Sequence, residues 1–147
     1  MENVNEFIDS VSEVKVHYKR KVDIETKVTC VDDAIKFIRP FFEEDIEQFE
    51  ISGALLMDYS HKIIGFIKLG QGGVSATVVN TQLLVRACIL TNVQAVILVH
   101  NHPSGNLIAS ESDKNLTYKI RDGLNLFDIN LLDHVILTKN SHSIVNI

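Results

Sequence analysis

Two histidines, a serine and an aspartate lie close together in the sequence, about two thirds of the way along the chain. The sequence reads His100-Asn101-His102-Pro103-Ser104-Gly105, followed by Ser110 and then Asp113. Imidazole nitrogens and carboxylate oxygens are ligands that zinc prefers in proteins. Two histidines and one aspartate make three ligands, which leaves a fourth position for water, as in catalytic rather than structural zinc sites. The residue types therefore point to metal-assisted chemistry.

The elements around this segment explain how these side chains would meet. Residues 93–99 form an apolar run that is typical of a buried strand, and His100 and His102 follow its end. Side chains two positions apart on an extended chain face the same way. Pro103 and Gly105 favour a turn, after which a helix that begins near Ser110 would bring a carboxylate back to the same point.

Each pattern also has a purely structural explanation. A His-x-His beside a strand is often structural, because short motifs produce false matches. Ser110 followed three residues later by Asp113 is typical of a capping box, and an acidic residue suits the start of a helix. The two interpretations are compatible, since a helix cap can also hold a metal ligand.

The whole motif resembles the JAMM motif of the JAB/MPN metalloprotease family. The Asn between the histidines and the Ser-Gly after the proline are most similar to the RadC branch. The resemblance extends from about Glu47 to the C-terminus and includes the segment Leu132-Asp133-His134-Val135-Ile136. It implies a single-domain α/β/α sandwich with a mixed sheet, the JAB/MPN or cytidine deaminase-like architecture. Residues 47–147 would form the metal-binding core, and residues 1–46 an N-terminal extension, an edge strand and a helix, packed on the same domain.

The resemblance also implies roles for individual residues. His100, His102 and Asp113 would hold Zn²⁺, and Ser110 would help to stabilise an oxyanion. A glutamate from an earlier strand would lie over the zinc-bound water, and Glu50 is the best match. Glu47 is the nearest competitor for that role.

Hydrophobic periodicity predicts an alternating order of strands and helices. Asp133 and His134 are expected either to orient a metal histidine or only to hydrogen-bond at the end of the sheet. The helix that Asn80 is expected to cap is apolar almost all round, which predicts burial on more than one side. Gly123 is expected to end the helix that begins near Ser110. Strands are predicted at 13–21, 50–58, 63–69, 93–99, 130–138 and 143–147, helices at 34–42 (capped by Asp32 or Asp33 and ended or kinked by Pro40), 81–90 and 110–122, and a loop at 70–73.

Composition is that of an ordinary globular protein. The 147 residues are 46% hydrophobic, and the net charge of -5 argues against a broad DNA-binding surface. Cys30 and Cys88 are isolated and are interpreted as small core residues in a reducing compartment. Without a signal sequence or a long apolar run, the chain is expected to be cytoplasmic and not to contact a membrane.

Two functions from different classes follow. The first is a zinc-dependent hydrolase that cleaves a peptide or isopeptide bond of a peptide or protein substrate through a zinc-bound water. The second is a non-catalytic accessory protein associated with DNA repair or mobile elements, for which DNA would be the partner. A zinc deaminase would need His-x-Glu and Pro-Cys-x-x-Cys, which the sequence lacks. The sequence does not define the substrate or the oligomeric state.

Overall fold

A computed structural model describes residues 25–72 and 79–146, so the predicted strand at 13–21 lies outside the described residues. Within them, helices and strands alternate much as the periodicity predicts. The elements are α1 (Val31–Ile38), a short 3₁₀ helix (Arg39–Phe41), β1 (Glu50–Met57), β2 (Ile63–Gly72), α2 (Thr81–Leu90), β3 (Ala95–Asn101), α3 (Glu111–Asn125), β4 (Asn130–Leu137) and β5 (His142–Ile144).

The strands form one five-stranded mixed sheet in the order β2-β1-β3-β4-β5. β1 is antiparallel to both of its neighbours, whereas β3 and β4 are parallel and are joined by the crossover helix α3. All seven residues of β3 are buried. This confirms the prediction that the apolar run forms a central strand covered on both faces. Such strands lack the alternation of polar and apolar residues that a solvent-facing sheet shows.

Alternate residues of the strands contribute to two separate hydrophobic cores. Ile97 and Val99 of β3 pack with α1 on one face, and Val96 and Leu98 pack with α2 and α3 on the other. Period-two alternation of side chains produces this division. The fold is thus a single-domain α/β/α sandwich with a mixed sheet, as predicted.

The first helix begins earlier than predicted and is capped differently. Its N-cap is Cys30, and the carboxylate of Asp33 accepts hydrogen bonds from the backbone nitrogens of Thr29 and Cys30. Asp33 therefore caps the helix from its first turn rather than from in front of it. The helix ends before Pro40, as predicted, because proline supplies no backbone donor to an α-helix.

Two glycine signals are overridden by tertiary structure. Residues 70–72, predicted as a loop, continue β2, because β1 pairs with them through Glu50↔Gly72 and Ser52↔Gly70 across an irregular register. Gly123, predicted as a stop, lies inside α3, which continues to Asn125. An isolated glycine in a helix costs only about 1 kcal/mol relative to alanine, which packing readily offsets.

The prediction that α2 is buried on more than one side is wrong. Leu84 and Cys88 are buried, whereas Leu83, Ile89 and Leu90 are exposed. The helix lies in an outer layer, so only the stripe with i, i+4 spacing reaches the sheet.

The two cysteines have different environments and are both free. Cys88 is buried, as predicted, and burial raises the pKa of its thiol to about 12. Cys30 is exposed, so its interpretation as a core residue is wrong. No helix within residues 25–72 and 79–146 has the length and apolar character needed to cross a membrane.

Candidate metal centre

The predicted site residues meet at one edge of the sheet. β3 ends at this edge, and its antiparallel partner β1 begins there, with Ser52 opposite His100. Glu50 lies two residues before Ser52 and therefore faces the same side of the sheet. Thus pairing of β1 with β3 brings a carboxylate from fifty positions earlier in the chain to the histidines.

The loop after β3 turns the chain back toward the site. The backbone nitrogen of His102 donates to the carbonyl oxygen of Leu137 at 2.8 Å, and that of Gly105 donates to His102 O at 3.0 Å. Gly105 has a φ of 80°, a backbone conformation that glycine adopts readily because it has no Cβ and that other residues rarely adopt. The predicted turn therefore forms, and α3 begins six residues further on at Glu111.

Nitrogen and oxygen atoms from four side chains lie around one point. The Nε2 atoms of His100 and His102 are 2.8 Å apart. Asp113 Oδ1 lies 3.4 Å from His100 Nε2, and Asp113 Oδ2 lies 3.7 Å from His102 Nε2. Glu50 Oε1 lies 3.8 Å from His102 Nε2. Glu50, His100 and His102 form a possible metal-binding group, with ligand atoms within 4.8 Å of one another.

Asp113 is held as an anion by hydrogen bonds from Ser110. Its Oδ2 accepts from the backbone nitrogen and from the hydroxyl of Ser110, both at 2.7 Å. Burial by itself raises the pKa of Asp113, but the hydrogen bonds from Ser110 and the neighbouring imidazoles outweigh it and lower the pKa below its usual value. A carboxylate that is already ionised can accept a cation without first losing a proton.

Ser110 has the geometry of a helix cap. In addition to donating to Asp113, its hydroxyl oxygen accepts from the backbone nitrogen of Asp113 at 3.1 Å. The predicted capping box is therefore present. Contact with an oxyanion would require the hydroxyl to leave Asp113, so the predicted oxyanion role stays a prediction.

The two candidate glutamates have different surroundings. Glu50 has a largely buried side chain, 12% exposed, that faces His102. Glu47 forms an ion pair with Lys139 at 2.8 Å, and both side chains are more than half exposed. The geometry therefore favours Glu50 over Glu47 as the carboxylate beside the histidines.

Both histidines have a second hydrogen-bond partner that orients the ring. His102 Nδ1 lies 2.6 Å from the carbonyl oxygen of Asn106, and His100 Nδ1 lies 2.8 Å from His134 Nε2. Burial lowers the pKa of His100 to about 3 and that of His134 to about 4, with further contributions from neighbouring charged groups. The hydrogen bonds described for these rings do not include Asp133, so of the two residues considered from the sequence only His134 contacts a site histidine.

The sequence interpretation missed two residues that the structure places beside the site. Thr117 hydrogen-bonds to His134 Nδ1 at 2.6 Å. Asn101 is fully buried on the opposite face of β3 and binds the backbone on both sides of Glu50. Spacing carried a signal for Thr117, because a residue four positions after Asp113 lies on the same helix face.

The donor set fits a divalent cation. Two imidazole nitrogens 2.8 Å apart repel each other unless a proton or a cation lies between them. His102 Nδ1 faces a carbonyl oxygen and His100 Nδ1 faces His134 Nε2. With the proton of each ring on Nδ1, both Nε2 lone pairs are available to the site. Their separation is shorter than the roughly 3.3 Å between two nitrogens that share a tetrahedral zinc, so a small movement apart would accommodate the ion.

A search of protein families matches this chain over residues 28–146 to the RadC-like JAB domain. The chain belongs to this family. The matched region of this RadC-like JAB domain contains all five predicted site residues, and it begins ahead of α1, so it also includes part of the segment before residue 47.

Bacterial relatives support the same assignment. The chain is 40% identical over 91 residues to a UPF0758 protein of Pseudomonas fluorescens, covering 62% of this chain and 41% of the relative. It is 33% identical over 117 residues to a UPF0758 protein of Flavobacterium johnsoniae, covering 79% and 50%. A UPF0758 protein of Vibrio cholerae is 38% identical over 96 residues, covering 65% and 61%. This RadC-like JAB domain thus aligns with about two fifths to three fifths of the length of these relatives, whose names state no activity.

Proposed function

We propose that this RadC-like JAB domain is a zinc-dependent hydrolase that cleaves a peptide or isopeptide bond. The observation that carries the proposal is the meeting of both histidine Nε2 atoms with the carboxylates of Asp113 and Glu50 at one edge of the sheet. Two imidazole nitrogens and an ionised carboxylate suit zinc, and a second carboxylate beside them suits proton transfer.

His100, His102 and Asp113 are the residues proposed to hold the ion. Zinc at such a site acts as a Lewis acid and lowers the pKa of a coordinated water to roughly 7. Hydrogen bonds from Ser110 keep Asp113 ionised and oriented, while His134 and the Asn106 carbonyl orient the two rings. These contacts prepare the ligands before the metal arrives.

Glu50 is proposed as the general base and acid. Its carboxylate lies beside His102 and, unlike that of Asp113, takes no part in capping α3, so it is available to take a proton from water. It would then pass this proton to the leaving amine. General acid–base catalysis of this kind contributes about 10²–10⁴-fold to a rate.

Metal content and cleavage test the proposal separately. We expect one zinc per chain in the wild type and in Glu50→Gln, and a loss of zinc in Asp113→Asn, which retains an oxygen that can accept from Ser110. Cleavage is measured on fluorescence-quenched linear peptides and lysine isopeptides. Activity should fall at least about 10²-fold in Glu50→Gln.

Glu47→Gln is the matched control, because it makes the same change of charge in a surface ion pair. It should retain both zinc and activity. A wild type that binds no zinc, or a Glu50→Gln variant that cleaves as fast as the wild type, would refute the proposed mechanism.

A further inference from the structure

A chain of buried polar groups connects the backbone of α3 to the site. The Thr117 hydroxyl lies 2.5 Å from the Asp113 carbonyl oxygen and 2.6 Å from His134 Nδ1. His134 Nε2 lies in turn 2.8 Å from His100 Nδ1. Thr117, His134 and His100 are all at most 3% exposed, so water does not compete for these bonds.

The proton positions along this chain follow from its first member. A carbonyl oxygen can only accept, so the single hydroxyl proton of Thr117 points to Asp113 O. His134 Nδ1 must then carry the proton between itself and Thr117 Oγ1. A neutral imidazole has one N–H, so His134 Nε2 is an acceptor and His100 Nδ1 is the donor to it.

We propose that Thr117 and His134 form a relay that fixes His100 in the tautomer with its proton on Nδ1, so that the Nε2 lone pair faces the metal site. Thr117 and His134 are positioning residues, since neither lies among the ligand atoms. The inference rests on the proposed function only for the identity of the metal.

The relay also ties the ligands to one another. Thr117 is anchored on the carbonyl of Asp113, the same residue that supplies the carboxylate. β4 carries His134 to this position beside β3, through the register Leu98↔His134. One helix and two strands therefore set the ring orientation of a single ligand, which is the arrangement expected of partners that orient metal histidines.

Ring tautomers provide the direct test. In protein labelled with ¹⁵N at histidine, long-range ¹H–¹⁵N correlation spectra distinguish Nδ1–H from Nε2–H rings. We expect Nδ1–H tautomers for His100 and His134 in wild-type protein treated with chelator. An Nε2–H tautomer for either ring would overturn the relay.

Zinc affinity of hydroxyl variants provides a second, independent readout. Thr117→Val should weaken binding about 10–100-fold in competition with a chromophoric chelator, the usual effect of removing such a partner. Thr117→Ser keeps the hydroxyl and should bind as the wild type does. Thr91→Val is the matched control. Thr91 caps the C-terminal end of α2, away from the site, and its hydroxyl makes the same bond to a carbonyl four residues earlier, Ala87 O, at 2.7 Å.

These outcomes differ from failure of the proposed function. Zinc binding without cleavage would refute the hydrolase, and the tautomers and the zinc affinity of Thr117→Val would still decide for or against the relay. Absence of zinc binding by the wild type would refute the proposed metal, and the tautomers would still decide for or against the relay. Wild-type zinc affinity in folded Thr117→Val would overturn it.

Discussion

Asn101 provides the sharpest test of how the fold delivers Glu50 to the site. Its side-chain oxygen accepts from the backbone nitrogen of Ile51 at 2.7 Å, and its nitrogen donates to the carbonyls of Ile46 at 2.8 Å and Phe49 at 2.7 Å. One buried amide thus fixes the chain before and after Glu50. Asn101→Asp keeps the shape and the acceptor but removes both donors.

The expected loss of stability follows from the groups left unpaired. A buried carbonyl oxygen (Ile46) and a partly buried one (Phe49) would lose their donor. A buried unpaired group costs about 1–3 kcal/mol and a partly buried one less, so the free energy of unfolding should fall by about 1–4 kcal/mol at pH 7. Burial and two facing carbonyls would raise the pKa of the introduced carboxyl above its unfolded value. Since the neutral acid can donate one hydrogen bond, the loss should shrink as the pH falls through that raised pKa.

Urea denaturation followed by circular dichroism measures this effect at pH 7 and pH 5. Asn140→Asp is the matched control, because Asn140 is exposed and the substitution adds the same charge. It should change stability by no more than about 0.5 kcal/mol. If Asn101→Asp unfolds at the same urea concentration as the wild type at pH 7, these hydrogen bonds do not stabilise the segment before β1.

Two further predictions concern the buried rings and the sheet. Because burial lowers the pKa values of His100 to about 3 and His134 to about 4, the unfolded chain binds protons first as the pH falls below about 6.5. The free energy of unfolding of chelator-treated protein should therefore decrease from pH 6.5 toward pH 4, by up to about 1.4 kcal/mol per pH unit for each ring. Urea titrations of His134→Gln, which lacks one of the rings, should show a less steep decrease with falling pH. A decrease as steep as that of the wild type would contradict this prediction. In β1, a Cβ at Gly53 would overlap the Phe66 ring and lie 2.9 Å from a backbone carbonyl oxygen. Gly53→Ala should lower the free energy of unfolding by about 1–3 kcal/mol, as measured in thermal melts. Gly65→Ala is the control, because no atom lies within 4 Å of the added Cβ, and it should not destabilise the protein.

Local patterns predicted the parts of the site that are close in sequence. His100 and His102 are two residues apart at the end of a strand, so extended geometry alone makes them neighbours. The capping pattern likewise predicted that Ser110 and Asp113 bond to each other, as they do. The apolar run before the histidines predicted the central strand, because a short continuous apolar run is typical of a strand covered on both faces.

Contacts between distant segments were decided by the tertiary structure. Antiparallel pairing of β1 with β3 brings Glu50 to the histidines and leaves Glu47 with Lys139, a choice that depends on strand register rather than residue type. The same holds for the glycines of β2, which pairing keeps extended. For residues other than proline, local propensity is worth no more than about 1 kcal/mol per residue, so packing and pairing readily override it.

The sequence by itself therefore determined the chemistry available to this protein: two imidazoles and a carboxylate within one short segment, at the end of a buried strand. Only the tertiary structure decided which glutamate faces them. It also decided that His134 contacts His100 Nδ1 and that Thr117 contacts His134 in turn. The physical reason is that ligand identity is a property of side chains, whereas ligand orientation depends on hydrogen bonds between elements that are far apart in the chain.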